Sequence, residues 1–540
     1  MATIPVRRLG SAGIVADMHP ADIEEPAVFT AGVNVRFSNG RASRAPVART
    51  VATLPISPGH VLTIPPGAAG YDEIVIVSHD FGSILHLNGL VYEDLTPPGQ
   101  TGIDGLSTFT STYLGGVSYI NRDTHAPVGK APGDGTYLSL PDWAPEWRCK
   151  SLRAYKDFLI ALGVTKGGAY YPTMVKWSDL TGFGAPPASW DSTITTNSAG
   201  ENIVNEMQHA IVDGASLRDS FILYCTSSVW TMNYIGGNLL FDFRKLYDEC
   251  GVINTNCVVQ VDGMHYVFDK NDIWIHDGAT KTSIADQKVK NFIFDALDYS
   301  KANLCFVSHD AKLTEVRFMY PSVDRLVGFA NPETGCNRAA VYNYGSKTWS
   351  FYDVPNVTSG TKAAIISGKT WEDAGDTSWD DLGGSWTSVS GDEASHMLLV
   401  SRMDTNQGLS ADRLYGFDTL TGGRLPIPPE PEALRPAFLE RTGLDLDALG
   451  KHLTQYVRLQ AMWPQVYADD AKDIYWQFGA NDLVGKEPQW SVEMPFDPDV
   501  DGKIDINEAG KYLGYRFGVR GISDFKLSGF DIEMTIRGRR

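Results

Sequence analysis

A chain of 540 residues, 43% hydrophobic and 21% charged, has material for one very large core or several ordinary ones, which excludes wholesale disorder. A net charge of −19 argues against a surface that grips nucleic acid by neutralising phosphates, though not against one that DNA slides past. Plentiful aromatics (13 Trp, 23 Tyr, 23 Phe) beside 53 Gly pair strand formers with turn formers and predict an all-β chain.

At the start, Arg7 and Arg8 are followed by no apolar run, so no secretory leader is expected. No apolar stretch approaches the length of a membrane span, which predicts a soluble product released by a route such as cell lysis. Residues 1–60, with several prolines, predict an extended arm. Within it, Val33, Val35 and Phe37 alternate with Asn34, Arg36 and Ser38, the period of a half-buried strand. Asn39-Gly40 then supplies two residues that tolerate positive φ in a tight hairpin turn.

From about residue 70 a module recurs: a β-branched strand, a Gly, Asp or Asn turn, then an aromatic-rich strand. Six modules have second strands near residues 84, 175, 229, 273, 340 and 414, with gaps of 91, 54, 44, 67 and 74 residues. That spacing predicts an irregular six-bladed β-propeller over 61–425, each blade burying its faces against its neighbours. A string of β-sandwich domains is the alternative.

Residues 426–455 carry Ala433, Leu434, Phe438, Leu439, Leu444, Leu446, Leu449 and Leu453 three or four apart after Pro428, Pro429 and Pro431, which predicts a helical insertion or linker. Residues 456–540 return to strands at 456–462, 474–478, 512–517 and 530–536. They predict a closing, β-sandwich-like platform.

The sharpest chemical motif is the run from Asp497 to Glu508. Asp497, Asp499, Asp501 and Asp505, with Gly502, the Lys503 carbonyl and Glu508, match the twelve-residue calcium loop position by position. The flanking 489–494 reads as strand rather than an entering helix, so an EF-hand proper is not expected. A solvated acidic turn gives the same letters. In a loop with Trp371, Trp379 and Trp386, the indoles suit either sugar stacking or packing on a neighbouring blade, and packing is the expectation. Asn343, Gly345 and Trp349 resemble the structural turn boxes of sialidase propellers. His79, His86 and His309 show no paired ligand spacing. Cys149, Cys225, Cys250, Cys257, Cys305 and Cys336 show no CxxC pattern and read as reduced core residues of a protein made in a cytoplasm. No nucleophile elbow, P-loop or dinucleotide fingerprint occurs in a fitting context, so no enzymatic activity is expected.

The hairpin Gly32-Val33-Asn34-Val35-Arg36-Phe37, with Gly40 and Pro46, resembles the start of the tail nozzle proteins of short-tailed phages, also called tail tubular protein B or stabilisation proteins. Residues 243–278, with Gly251, Tyr266, Trp274 and Gly278, resemble that family's central blade. Tyr512, Tyr515, Phe517, Gly529 and Phe530 resemble its closing strands. The resemblance implies a six-bladed propeller with a platform, assembled as a homohexamer in the virion tail. It also implies contacts to an adaptor ring below the portal and to tail fibres or spikes, and a channel through which double-stranded DNA passes without specific binding. The calcium-loop pattern at 497–508 is more acidic than the resemblance implies; bound there, calcium would bridge like-charged subunits. A glycan-binding or glycan-degrading propeller on the virion, or a propeller on a bacterial surface, is the alternative function.

Overall fold

The computed structural model describes residues 2–65, 72–88, 91–237, 239–323, 334–363, 396–405, 408–417, 436–444, 456–468, 473–483, 486–521 and 524–537. Nearly all regular structure in these residues is antiparallel β. One short α-helix (Lys290–Ala296) and two 3-10 turns (Pro20–Asp22 and Tyr299–Leu304) interrupt it.

Five consecutive stretches each fold into a four-stranded sheet whose strands pair in chain order. Their first strands are Pro58–Ile64 (sheet 1), Phe109–Leu114 (sheet 2), Arg148–Tyr155 (sheet 3), Ile211–Leu217 (sheet 4) and Val258–Val261 (sheet 5). A longer sheet follows. Its strands Phe306–Asp310, Glu315–Tyr320 and Cys336–Asn343 run to the long strand Thr348–Ala363, and we call these four sheet 6. At Val357 that strand changes partner, from Cys336 to Ser401, and its second half continues into His396–Ser401, Arg413–Gly416 and Arg49–Thr53. These make a seventh four-stranded group.

The first strand of each sheet packs on that of the next, from sheet 1 through sheet 6, then on Thr348–Ala363, which packs on Pro58–Ile64. Apolar clusters fill the interfaces. Leu62 and Val75 meet Ile120 and Tyr137 between sheets 1 and 2, and Val61 and Ile76 meet Leu398 and Leu414 between sheet 1 and the last group. The contacts thus form a closed circuit of seven groups among the described residues, against six expected modules. The unit missing from the expectation is sheet 2, inside the 91-residue gap. Its strands FTSTYL and VSYINR are too rich in hydroxyls and amides to read as an apolar module.

The chain ends build two further sheets. One has the order Val35–Ser38, Arg41–Arg44, Phe525–Arg537, Tyr456–Ala468, Ile504–Asp505, with Ala2–Arg7 also on Phe525–Arg537. The other has the order Ala31–Val33, Ala437–Leu444, Tyr512–Val519, Ile474–Asn481, Gln489–Trp490. Aromatic rings join them face to face: Tyr515 to Phe530 at 5.0 Å, Phe517 to Phe525 at 4.9 Å and Trp476 to Phe530 at 6.2 Å between centroids. The strands expected in 456–540 are all present here.

Two readings need correction. Residues 437–444, expected to be helical, form a strand: Ala437, Leu439 and Arg441 alternate inward, and Gly443 at φ 68° shifts the register before Leu444. The remainder of 426–455 up to 435 and from 445 lies outside the described residues. The arm contributes regular strands as well, with partners far along the chain: Ala2 pairs Met534, and Thr53 pairs Arg413.

The hairpin turn forms as expected. Asn39 and Gly40 adopt φ of 51° and 72°, the two left-handed residues of a type I′ turn. A Cβ on Gly40 would meet no atom closer than 3.7 Å, so Gly40→Ala tests backbone conformation alone. It is expected to cost about 1–2 kcal/mol in chemical denaturation. Equal stability of the variant would overturn this reading of the turn.

Candidate functional site

Along the axis of the circuit lies a cavity of about 420 Å³, lined by the first strands: His60, Thr63, Ser111, Arg153, Asp213 and Thr361 among others. A smaller one, about 60 Å³, opens on the other side and shares His60, Asn256 and Phe306 with it. The two are separated by a belt of polar side chains.

Six of the seven groups contribute to the belt, with His60 from sheet 1, Ser111 from sheet 2, Ser151 and Arg153 from sheet 3, Asp213 from sheet 4, Asn256 just ahead of sheet 5 and Ser359 from the last group. Asp213, in sheet 4, follows two apolar positions and is 3% exposed. It accepts from Arg153 Nε at 2.8 Å and Nη2 at 2.7 Å, from Ser151 Oγ at 2.6 Å, and from the backbone N–H of Asn256 and Gly214 at 2.8 Å each. Arg153 also donates to Ser111 O at 3.2 Å and Asn256 Oδ1 at 2.7 Å, and Asn256 Nδ2 donates to Phe109 O at 2.7 Å. His60 bonds Ser111 Oγ at 2.9 Å and Ser359 Oγ at 3.0 Å. The belt therefore reaches from sheet 1 to sheet 5 and to the last strand of the circuit.

Burial pushes the Asp213 carboxyl up. The Arg153 charge, the hydrogen bonds from Arg153 and Ser151, and that from Asn256 outweigh it and hold the group below its ordinary value. Burial, helped by the Arg153 charge, pushes His60 down to about 3, so it is neutral. The belt's donors and acceptors are satisfied by one another. Its chemistry is to tie these strands to one another, not to present a free nucleophile or base.

The second site is the junction of circuit and sandwich, built by the hairpin. Asn34 stands between Ala31–Val33 in one sandwich sheet and Val35–Ser38 in the other, with φ 59°. Its side chain donates to Pro436 O at 3.0 Å and Asp353 Oδ2 at 3.2 Å and accepts from Asp353 N at 2.9 Å, while its own N–H donates to Phe351 O at 2.8 Å. Two residues on, Arg36 donates to Glu315 Oε1 and to Leu313 O, both at 3.2 Å. Glu315 also pairs with the fully buried Arg317 at 3.1 Å and accepts from Tyr352 Oη at 2.9 Å; Arg317 reaches Asp310 at 2.7 Å. Burial and the Glu315 charge push the Tyr352 phenol far up. One hairpin thus holds both sandwich sheets and sheet 6. Two polar residues of its alternation, Asn34 and Arg36, are buried contacts where a half-buried strand was expected.

Residues 497–508 do not close into a calcium cradle. Asp501 Oδ2 accepts the Asp497 N–H at 2.9 Å, Lys503 Nζ pairs with Asp505 at 2.8 Å, and Ile504–Asp505 is a strand on Met462 and Ala461. Among the described residues no three of His, Cys, Asp or Glu converge at metal-binding distance. Ile504 and Ile506 are buried and hold the segment in the sheet. Melts in calcium and in a chelator are accordingly expected to coincide, and a higher melting temperature in calcium would overturn that.

Asn343 does form the expected turn box, its Oδ1 accepting from Gly345 N at 3.0 Å and Ser346 N at 2.9 Å, with Trp349 buried behind it. His79, His86 and His309 contact Asp104, Glu93 and Tyr344 respectively and do not meet. All six cysteines are buried and unpaired. Trp371, Trp379 and Trp386 lie outside the described residues. No helix among the described residues is long and apolar enough to cross a membrane.

The belt and the buried histidines went unnoticed in the sequence. A charged residue inside an otherwise apolar strand, as in Val212-Asp213-Gly214, is the signal that marks Asp213. No protein-family model and no curated protein matches the chain.

Proposed function

We propose that the chain is a structural subunit of a short-tailed phage tail, a nozzle subunit whose four-stranded groups are the blades of a β-propeller and whose terminal strands form the platform. The observation that carries this reading is the hairpin. The residues that bear the family resemblance, Val33 to Gly40, are the ones that lock sandwich to circuit through Asn34 and Arg36. A part that must withstand the passage of a genome needs its domains held rigidly, and this junction does that with buried, charge-assisted bonds.

The axis supports the same reading. A cavity of about 420 Å³, divided from its neighbour by His60 and Asn256, takes small molecules and not a duplex. DNA therefore passes beside the subunit, through a ring of copies. The charge of −19 per copy keeps that wall from binding phosphates.

Negative-stain imaging of the purified full chain tests this. Sixfold rings with a central channel are expected; particles without a channel sink the reading. Release of reducing ends from host polysaccharide would favour the glycan-degrading alternative instead.

A further inference from the structure

Two exposed surfaces lie at opposite ends of the molecule. The sandwich joins the circuit at sheet 6, and in a circuit of seven the groups opposite sheet 6 are sheets 2 and 3. There, and on adjoining sheet 4, consecutive turns expose Phe183 (90%), Leu239 (73%) and Ile235 (58%). Phe183 lies beside the Gly115-Gly116 turn of sheet 2, and Thr181 N bonds Asp157 O in the turn of sheet 3, so the three turns adjoin. Lys156 stands 5.8 Å over the Tyr234 ring and Arg218 is exposed in the next turn. Among the described residues neither forms an ion pair.

In both sandwich sheets the strands nearest the circuit are Ala31–Val33 and Val35–Ser38, which contact Thr348–Ala363. The strand order puts Gln489–Trp490 and Ile504–Asp505 at the far edges. Loops beside these edges expose Val492 (81%) and Val500 (78%), with Asp499 and Asp501 flanking Val500.

Exposed apolar side chains mark a contact surface where they cluster, as on the adjoining turns of sheets 2 to 4. Copies carrying −19 each repel one another, so association needs local charges of opposite sign. The two ends meet that need: one is apolar with exposed cations, the other apolar with exposed carboxylates. Different surfaces on opposite ends of one chain can only pair head to tail. We propose that the turns of sheets 2 to 4 in one copy dock on the far sandwich edge of the next copy, Lys156 and Arg218 facing Asp499 and Asp501. The acidic loop is then an interface element rather than a metal site. Closure of the contact into a ring of six rests on the nozzle reading; the contact itself does not.

Light scattering across a concentration series, with imaging, tests the full chain and four variants. K156E/R218E and D499K/D501K are each expected to raise the concentration for half-assembly at least about tenfold, and their combination to return it to within about threefold. Phe183→Ser is expected to weaken assembly without changing the melting temperature, since Phe183 is solvent-exposed. A wild-type chain that stays monomeric overturns the proposal. Rings unaffected by every variant overturn this interface and leave the nozzle reading standing. Charge-sensitive open chains that never close overturn the nozzle reading and leave the interface.

Discussion

Asp213→Ala is expected to lower the free energy of unfolding by roughly 3–5 kcal/mol, among the largest effects of any single substitution in this chain. The carboxylate is buried and accepts five hydrogen bonds, two from Arg153 and one each from Ser151, Gly214 and Asn256. Removing it strands the Arg153 guanidinium with two neutral acceptors and leaves the Asn256 N–H without a partner. Arg153 borders the axial cavity, and water entering there moves the loss toward the lower end of the range. Replacing both partners, as Arg153→Met with Asp213→Leu, removes the two charges together and is expected to cost less than Asp213→Ala alone. Tryptophan fluorescence in urea reads all three. A double variant weaker than the single one would show that the belt holds the strands by shape and not by charge.

Legibility in the sequence followed the distance over which each feature is decided. Asn39-Gly40 is decided by two adjacent residues, and the turn was read correctly from them. The strands of 456–540 are decided by alternation over a few positions, and they too were legible. The strand Ala2–Arg7 is decided by a partner more than 500 residues away, so nothing local marked it. Ala437–Leu444 shows the opposite failure. Phe438, Leu439 and Leu444 fit a helical stripe, yet alternation and the neighbour Tyr512–Val519 settle the segment as strand. The calcium motif is legible in letters, but its carboxylates do not converge among the described residues, and Ile504 and Ile506 tie the segment to the sandwich core. Arg36 stands on the polar side of a half-buried alternation, yet it is buried. Its real surroundings belong to sheet 6, which no local pattern can supply.

Acid is expected to destabilise the chain well above the range in which carboxylates titrate, because three buried histidines resist protonation. His265 Nε2–H donates to Ser216 O at 2.8 Å, so its Nδ1 accepts from Tyr224 Oη at 2.7 Å. Tyr224 in turn accepts from His276 Nε2–H at 2.7 Å, and His276 Nδ1 accepts the Gly278 N–H at 3.2 Å. Every ring nitrogen in this chain between sheets 4 and 5 is in use, and a further proton on either ring meets a hydrogen already in place. Burial pushes His265 down to about 4; burial and the neighbouring His265 push His276 down to about 3. His60, in the axial belt, is likewise pushed down to about 3. Unfolded, each titrates near its ordinary value of 6.5. Below that pH the unfolded chain binds protons that the folded chain does not, so stability is full above 6.5 and falls as pH drops toward the folded values. Each histidine contributes a slope of about 1.4 kcal/mol per pH unit, and between pH 7 and 4.5 the three together remove roughly 7 kcal/mol. Asp213 adds its own loss only below its ordinary value of 3.8, since its folded pKa is depressed. Urea denaturation at half-unit pH steps reads the slope. His60→Gln and His276→Gln are each expected to remove about one third of it, whatever they do to stability at pH 7. A profile flat between pH 6.5 and 4.5 would mean that these rings take up protons in the folded chain and that the buried relay is not closed.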